Sequence, residues 1–108
     1  MSLDIKDLFN IKDKIAVVTG GSRGIGEMIT SGFLANGAKV YITARKEEAL
    51  ITKAEELSKE YNAECIPFCS DLSKEEGINS LVEFLADKEP EGIDFLINNA
   101  GAAWGAPF

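Results

Sequence analysis

Thr19-Gly20-Gly21-Ser22-Arg23-Gly24-Ile25-Gly26 lies between an apolar run and a segment of helical periodicity, and its reading decides the fold. On its N-terminal side, Lys14-Ile15-Ala16-Val17-Val18-Thr19 is almost unbroken in apolar character, the pattern of a strand covered on both faces of a parallel sheet. On its C-terminal side, Ile25, Met28, Ile29 and Phe33 recur at helical spacing, which predicts a helix with that apolar face, stopped at Asn36-Gly37. A glycine-rich turn from a buried strand into a helix reads as a phosphate-binding loop. Unpaired N–H groups and the positive end of the helix dipole favour a pyrophosphate there, and glycines at 20, 24 and 26 leave its approach clear.

Outward from the turn the same alternation continues. Lys39 to Ala44 has the β-branched and aromatic content of a second strand, and a helix is predicted from about Lys46 to Tyr61, with Leu50, Ala54, Leu57 and Tyr61 as its buried stripe. Glu64 to Ser70 reads as a third strand; Pro67 donates no ladder hydrogen bond, so this strand belongs at a sheet edge. Ser73-Lys74-Glu75-Glu76 matches a capping box, and the helix it opens carries Ile78, Leu81, Val82, Leu85 and Ala86 on its apolar face. Pro90 to Gly92 breaks that helix, Ile93 to Ile97 is a fourth strand, and Asn98-Asn99-Ala100-Gly101 leaves the sheet. The right-handed crossover rule assembles β-α-β-α-β-α-β into an α/β doubly wound parallel sheet of strand order 3-2-1-4, with helices on both faces. Ligands bind such a sheet outside the carboxyl ends of its strands, where the order reverses, and both the glycine-rich turn and the Asn98 turn fall there.

Composition narrows the classes. A chain of 108 residues, 45% hydrophobic and 27% charged, suits one soluble domain: a lead-in over 1–14 and a nucleotide-binding unit over 15–108. Eleven Lys and Arg against 18 Asp and Glu give a net charge of −7, which repels a phosphate backbone, so nucleic acid is not an expected partner. Cys65 and Cys69 are four apart in a strand, which turns both to one face, and with no His in the chain they are read as buried free thiols and no metal site is expected. Met1 to Lys14 lacks the apolar core of a signal peptide, and no apolar run reaches the roughly 18 residues of a membrane helix, so no membrane partner is expected. Reduced cysteines suit an intracellular, cytoplasmic location.

Thr-Gly-x-x-x-Gly-x-Gly after the first strand, followed by Asn-Asn-Ala-Gly after the fourth, resembles the N-terminal half of the short-chain dehydrogenase/reductase family, over roughly Leu8 to Trp104. The resemblance implies a Rossmann-type sheet and a nicotinamide dinucleotide cofactor. It implies that Gly20, Gly24, Ile25 and Gly26 form the pyrophosphate turn and that Ser22 and Arg23 flank the adenosine ribose. It places Asp71 and Leu72 against the adenine, with Asp71 also a candidate helix N-cap beside Ser73, and lines the cofactor cleft with Asn98, Asn99, Ala100 and Gly101, Asn98 near the nicotinamide ribose. Trp104 either borders a substrate entrance or covers the sheet end. Within the family the lead-in, Tyr41 to Arg45 and the Trp104 segment are most similar to bacterial-type 3-oxoacyl-[acyl-carrier-protein] reductases, the rhamnolipid-linked branch included.

Cofactor choice follows from charge. A dinucleotide fold that takes NAD places an Asp or Glu at the end of its second strand, on the ribose 2′-hydroxyl. Here that place holds Ala44, followed by Arg45, and with Arg23 nearby two guanidinium groups are available to a 2′-phosphate, which predicts NADP(H). The family's proton donor is a tyrosine in Tyr-x-x-x-Lys, and the chain has none: Tyr41 is followed by Arg45 and Tyr61 by Cys65 at that spacing. The expectation is the cofactor-binding portion of an oxidoreductase that moves hydride between NADPH and a carbonyl or acyl-thioester substrate, the chain itself being inactive and its full-length parent a homo-oligomer. On that reading the chain is a fragment, the sheet is incomplete and the fourth strand is an apolar edge at Phe95-Leu96-Ile97. The alternative is a non-catalytic NADP(H)-binding module or truncated isoform, whereas a Walker-type site lacks its Gly-Lys-Ser or Gly-Lys-Thr.

Overall fold

The apolar run before the glycine-rich turn becomes an inner strand of a four-stranded parallel sheet in the computed structural model, which describes residues 10–99. In chain order the elements are β1 (Ile15–Thr19), α1 (Gly24–Ala35), β2 (Lys39–Ala44), α2 (Glu47–Tyr61), β3 (Cys65–Cys69), α3 (Glu75–Lys88) and β4 (Phe95–Asn98). The strands lie in the order β3-β2-β1-β4, as the alternation of elements predicts. Ala16, Val17 and Val18 of β1 and Val40, Tyr41 and Ile42 of β2 are fully or almost fully buried. Strand alternation divides them between two layers. Ala16, Val18, Val40 and Ile42 meet Leu34 of α1 and Leu50, Ala54 and Leu57 of α2 on one face, each fully buried large aliphatic contributing roughly 1.5–3 kcal/mol. Tyr41 points the other way, where the Phe84 ring of α3 stands edge-on to it at 5.8 Å and stacks on Phe68 at 4.4 Å.

The stripe predicted for the first helix is turned. Gly26, Thr30 and Leu34 are the buried residues of α1, Ile29 and Phe33 flank them, and Ile25 and Met28 are 66% and 73% exposed. The cause is a close approach at the start of the helix: a Cβ on residue 26 would lie 2.0 Å from the Gly20 carbonyl oxygen, so only glycine lets α1 sit against the end of β1. The same device corrects the third helix. Gly77 faces the Asp71 carbonyl, Leu81 is buried, Phe84 and Leu85 are half-buried, and Ile78, Val82 and Ala86 are exposed.

Two further expectations are corrected. The capping box does not form. The N-cap of α3 is Lys74, without a side-chain bond, and Asp71, which is not the N-cap either, takes both the Ser73 N–H (3.0 Å) and the Ser73 hydroxyl (2.6 Å) on Oδ1. A charged acceptor two residues upstream outcompetes the backbone donors the hydroxyl would otherwise serve. Of the two free thiols, Cys65 is buried but Cys69 is exposed, because it lies at the end of β3 and its Sγ donates to the Arg45 carbonyl oxygen at 3.3 Å.

The two sheet edges differ. At β3, Val40 N–H donates to Glu64 O and Ser70 N–H to Ala44 O, so the even-numbered residues bond inward and Cys65, Pro67 and Cys69 turn their backbone outward. Pro67 therefore sacrifices no ladder bond, and the Ser58 hydroxyl takes the Cys65 N–H (3.1 Å) and donates to the Cys65 carbonyl (3.3 Å), blunting this edge. At β4, the other edge among the described residues, Phe95 and Leu96 are exposed. At the opposite end of the sheet from the glycine-rich turn, the Tyr41 hydroxyl donates to Glu89 Oε2 (2.5 Å) and Lys39 Nζ pairs with the same oxygen (2.7 Å), tying the end of α3 to β2. No helix among the described residues is long and apolar enough to cross a membrane.

Candidate dinucleotide site

Parallel register carries the carboxyl ends of all four strands to one side of the sheet. Cys69 pairs with Ala44, Thr43 with Thr19, and Thr19 with Asn98. The segments that follow them, Asp71-Leu72, Arg45, the turn from Gly20 to Gly26 and Asn98-Asn99, therefore share one rim. Three inter-strand spacings make that rim about 14 Å wide, the scale of an extended dinucleotide.

The Thr19 side chain, buried at the end of β1, joins the inner strands. Its hydroxyl accepts the Asn99 N–H at 2.8 Å and directs its proton at Asn98 Oδ1 (3.0 Å) and the Ile97 carbonyl (3.3 Å). Asn99 Nδ2 donates to the Gly20 carbonyl at 3.4 Å, and the Gly20 N–H donates to the Thr43 carbonyl at 2.8 Å. Thr19 and Asn99 thus hold the ends of β1 and β4 to the start of the turn, and the Gly20 N–H ties that start to β2. Thr19 was legible as the first residue of the glycine motif and Asn99 as part of the cleft lining, but neither as a brace. Their roles depend on bonds across about 80 residues, which no local pattern displays.

Within the turn, Arg23 is the N-cap of α1, in extended conformation and without a side-chain cap bond. Glu27 N–H, donating to the Arg23 carbonyl at 3.2 Å, starts the helical ladder. The amides of Gly24, Ile25 and Gly26 precede that bond and are the orphan donors of a helix start. Gly24 has φ +54°, and a side chain there would project into open space rather than into protein. Glu27, the acid of the first turn, leans to Lys53 of α2 at 3.5 Å. The donor set, the open cradle and the exposed guanidinium of Arg23 fit a pyrophosphate.

Across the rim, Arg45 is exposed just past β2 and Ser22 and Leu72 are half-buried. The Ser73 hydroxyl and then its amide hold the Asp71 carboxyl below the usual carboxylate range, with the positive charges of Lys74 and Arg45 acting in the same direction. Both Ser73 bonds fall on Oδ1. Gly20, Ser22, Arg23, Gly24, Ile25, Gly26, Arg45, Asp71, Leu72 and Asn98 are thus all on the one rim, while Ala100, Gly101 and Trp104 lie outside the described residues. Cavities of about 310 Å³ beside Ile51, Cys65 and Pro67, and about 510 Å³ beside Leu34, Lys39 and Glu89, lie away from this rim.

The model of the short chain dehydrogenase family matches residues 14–108. The chain is 46% identical over 98 residues to the rhamnolipids biosynthesis 3-oxoacyl-[acyl-carrier-protein] reductase of Pseudomonas aeruginosa, an overlap that covers 91% of this chain and 37% of that protein. It is 41% identical over 90 residues to the human dehydrogenase/reductase SDR family member 1, covering 82% of this chain and 28% of that one. Among solved structures, the Pseudomonas aeruginosa RhlG/NADP active-site complex superposes with a TM-score of 0.80 at 45% identity, over 86% of this chain and 36% of that one. The L-sorbose reductase of Gluconobacter frateurii complexed with NADPH and L-sorbose does so with a TM-score of 0.80 at 32% identity, over 91% and 39%. The chain therefore spans well under half the length of these relatives. The sheet order, the turn and a family match that takes in every strand agree, and the chain belongs to the short chain dehydrogenase family.

Proposed function

We propose that residues 15–108 are the NADP(H)-binding portion of an oxidoreductase that moves hydride between NADPH and a carbonyl or secondary alcohol. The observation that carries the cofactor choice is Arg45, exposed directly after Ala44 at the end of β2, where an NAD-binding chain keeps an acid. Arg23, at the N-cap of α1, offers a second guanidinium. The presence of NADP or NADPH in two similar structures supports the same reading.

In this reading the amides of Gly24, Ile25 and Gly26 take the pyrophosphate, with Gly20 shaping the turn and Ser22 and Arg23 flanking the adenosine ribose. Arg45 and Arg23 take the 2′-phosphate, each charged hydrogen bond contributing roughly 1.5–3 kcal/mol before screening. Asp71, whose Oδ2 is not engaged by Ser73, accepts from the adenine amine beside Leu72. Asn98 is assigned to the nicotinamide side, and the Asn-Asn-Ala-Gly motif assigns Ala100 and Gly101 the same role. Bound, the nicotinamide ring supplies or accepts the hydride. No Tyr-x-x-x-Lys occurs in the chain, so no proton donor is assigned within it and the chain alone is expected to be inactive. Identity to a 3-oxoacyl-[acyl-carrier-protein] reductase makes a 3-oxoacyl thioester the first substrate class to assay in a protein that carries this portion.

Calorimetric titration of the chain with NADP+ and NAD+ tests the reading. NADP+ is expected to bind at least about tenfold tighter, a difference of about 1.4 kcal/mol. Equal affinities, or binding of neither, would count against it.

A further inference from the structure

Thr30 is fully buried in α1, and its hydroxyl lies between two carbonyl oxygens. Oγ1 is 2.8 Å from the Gly26 carbonyl, one helical turn back, and 3.4 Å from the Gly21 carbonyl, nine residues back on the opposite arm of the turn. A threonine hydroxyl bonded to the carbonyl four residues earlier is ordinary for a helix. A second acceptor across a loop is not part of that pattern. Gly21 comes this close only because it lacks a side chain: a Cβ there would lie 2.9 Å from Oγ1 and 2.6 Å from Ile42 Cγ2.

We infer that Thr30 is a positioning residue for the dinucleotide site, its single hydroxyl holding both ends of the Ser22-Arg23-Gly24-Ile25 segment. The inference rests on the NADP(H) reading above and adds to it a residue that touches no cofactor. Gly21 and Gly26 bracket the four residues that carry Arg23 and the amides of Gly24 and Ile25. Among the described residues, hydrogen bonds from the Thr43 carbonyl of β2 and the Asn99 side chain hold the turn at Gly20, and Gly21 packs on Ile42 of β2. Without a second tie, the bracketed residues would have to be ordered by the ligand, and the entropy of that ordering would come out of the affinity. The hydroxyl proton, shared between two acceptors, orders them beforehand.

Thr30→Val keeps the shape and removes the hydroxyl; Thr30→Ser keeps the hydroxyl; Thr30→Ala repeats the removal should the valine variant fail to fold. The readouts are calorimetric affinities for NADP+ and for adenosine 2′-monophosphate, which reaches Arg45 and Arg23 but has no pyrophosphate, and, without ligand, hydrogen exchange of the Glu27 amide, whose acceptor is the Arg23 carbonyl. Removal of the hydroxyl is expected to weaken NADP+ about tenfold or more and adenosine 2′-monophosphate, which depends on the bracketed segment through Arg23 alone, by a smaller factor. It is also expected to speed exchange of the Glu27 amide about tenfold, while Thr30→Ser stays near the original chain. Unchanged NADP+ affinity in a folded hydroxyl-free variant, or equal loss of both ligands, would overturn the assignment. If the original chain bound no NADP+, the cofactor reading would fall by itself. The exchange comparison would still decide for Thr30 if removal of the hydroxyl released the Glu27 amide, and against it if that amide stayed protected.

Discussion

The Thr19 hydroxyl accepts the Asn99 N–H at 2.8 Å, so the end of β1 and the segment leaving β4 meet at a single buried oxygen. Thr19→Val would leave that amide without its acceptor and Asn98 Oδ1 without its donor. Stranding the half-buried Asn99 amide costs up to about 1–3 kcal/mol, whereas the exposed Asn98 turns to water. The urea midpoint of the variant is expected to fall accordingly, and NADP+ affinity with it, since Asn99 also braces Gly20. A midpoint equal to that of the original chain would show that water replaces the threonine.

Gly26 and Gly24 separate two reasons for a glycine. Gly26→Ala drives a Cβ to within 2.0 Å of the Gly20 carbonyl, so the helix start must move and overpacking of about 1–3 kcal/mol is expected. Gly24→Ala meets no protein atom and bears only the strain of φ +54°, about 1 kcal/mol. Thermal unfolding ranks them, Gly26→Ala the lower. NADP+ titration is expected to show both losing affinity, Gly26→Ala by moving the helix start and Gly24→Ala by adding a methyl on the open side of the proposed pyrophosphate turn.

The Lys39–Tyr41–Glu89 cluster sets a pH dependence at each end of the range. Hydrogen bonds from Lys39 and then Tyr41 hold the Glu89 carboxyl below its usual range. Its stabilisation is therefore present above the unfolded pKa, near 4.5, and is lost as pH falls through the depressed folded value. Glu89 raises the Lys39 pKa through its hydrogen bond, and burial, then Glu89, raises that of Tyr41. Their contributions are complete below about pH 10 and are lost as pH rises through the raised values. Glu89→Gln is expected to cost about 1–3 kcal/mol at pH 7. Urea midpoints measured from pH 3 to 7 should bring the variant and the original together on the acid side; a constant gap would contradict the assignment.

The two thiols should react unequally. Burial pushes the Cys65 thiol up to about 12, which leaves almost no thiolate at neutral pH, whereas Cys69 is exposed. A chromogenic disulfide reagent is expected to label one thiol rapidly in the native chain and two after unfolding, and Cys69→Ser should abolish the rapid phase. Rapid labelling that survives Cys69→Ser would place the exposed thiol at the wrong residue.

Much of this architecture is written in local pattern. Runs such as Ala16-Val17-Val18 and Val40-Tyr41-Ile42 fix the inner strands, and Leu50, Ala54 and Leu57 orient α2 by their spacing alone. Pro67 places β3 at an edge, and the structure shows why it fits, with its nitrogen turned away from the ladder. The rotation of α1 and α3 was not legible, because in both a glycine pressed on a backbone carbonyl decides it and outweighs the count of apolar side chains. Gly26 and Gly77 bring the helices close, and Ile25, Met28, Ile78 and Val82 are left outside. The capping box failed for a comparable reason, since Asp71 competes for Ser73 from outside the four-residue motif. In the candidate site the glycines, arginines and Asn98 were readable from motif and charge. Asn99 was readable as part of the cleft but not as the brace on Gly20, and the bracing roles of Thr19 and Thr30 were not readable, because they rest on side-chain bonds whose partners no local pattern displays.

Arg45→Ala, compared with the original chain in affinity for NADPH and NADH, tests most directly whether the rim reads the 2′-phosphate through Arg45. NADPH is expected to weaken by about tenfold or more while NADH changes little, so that the ratio of the two collapses. An unchanged ratio would contradict it.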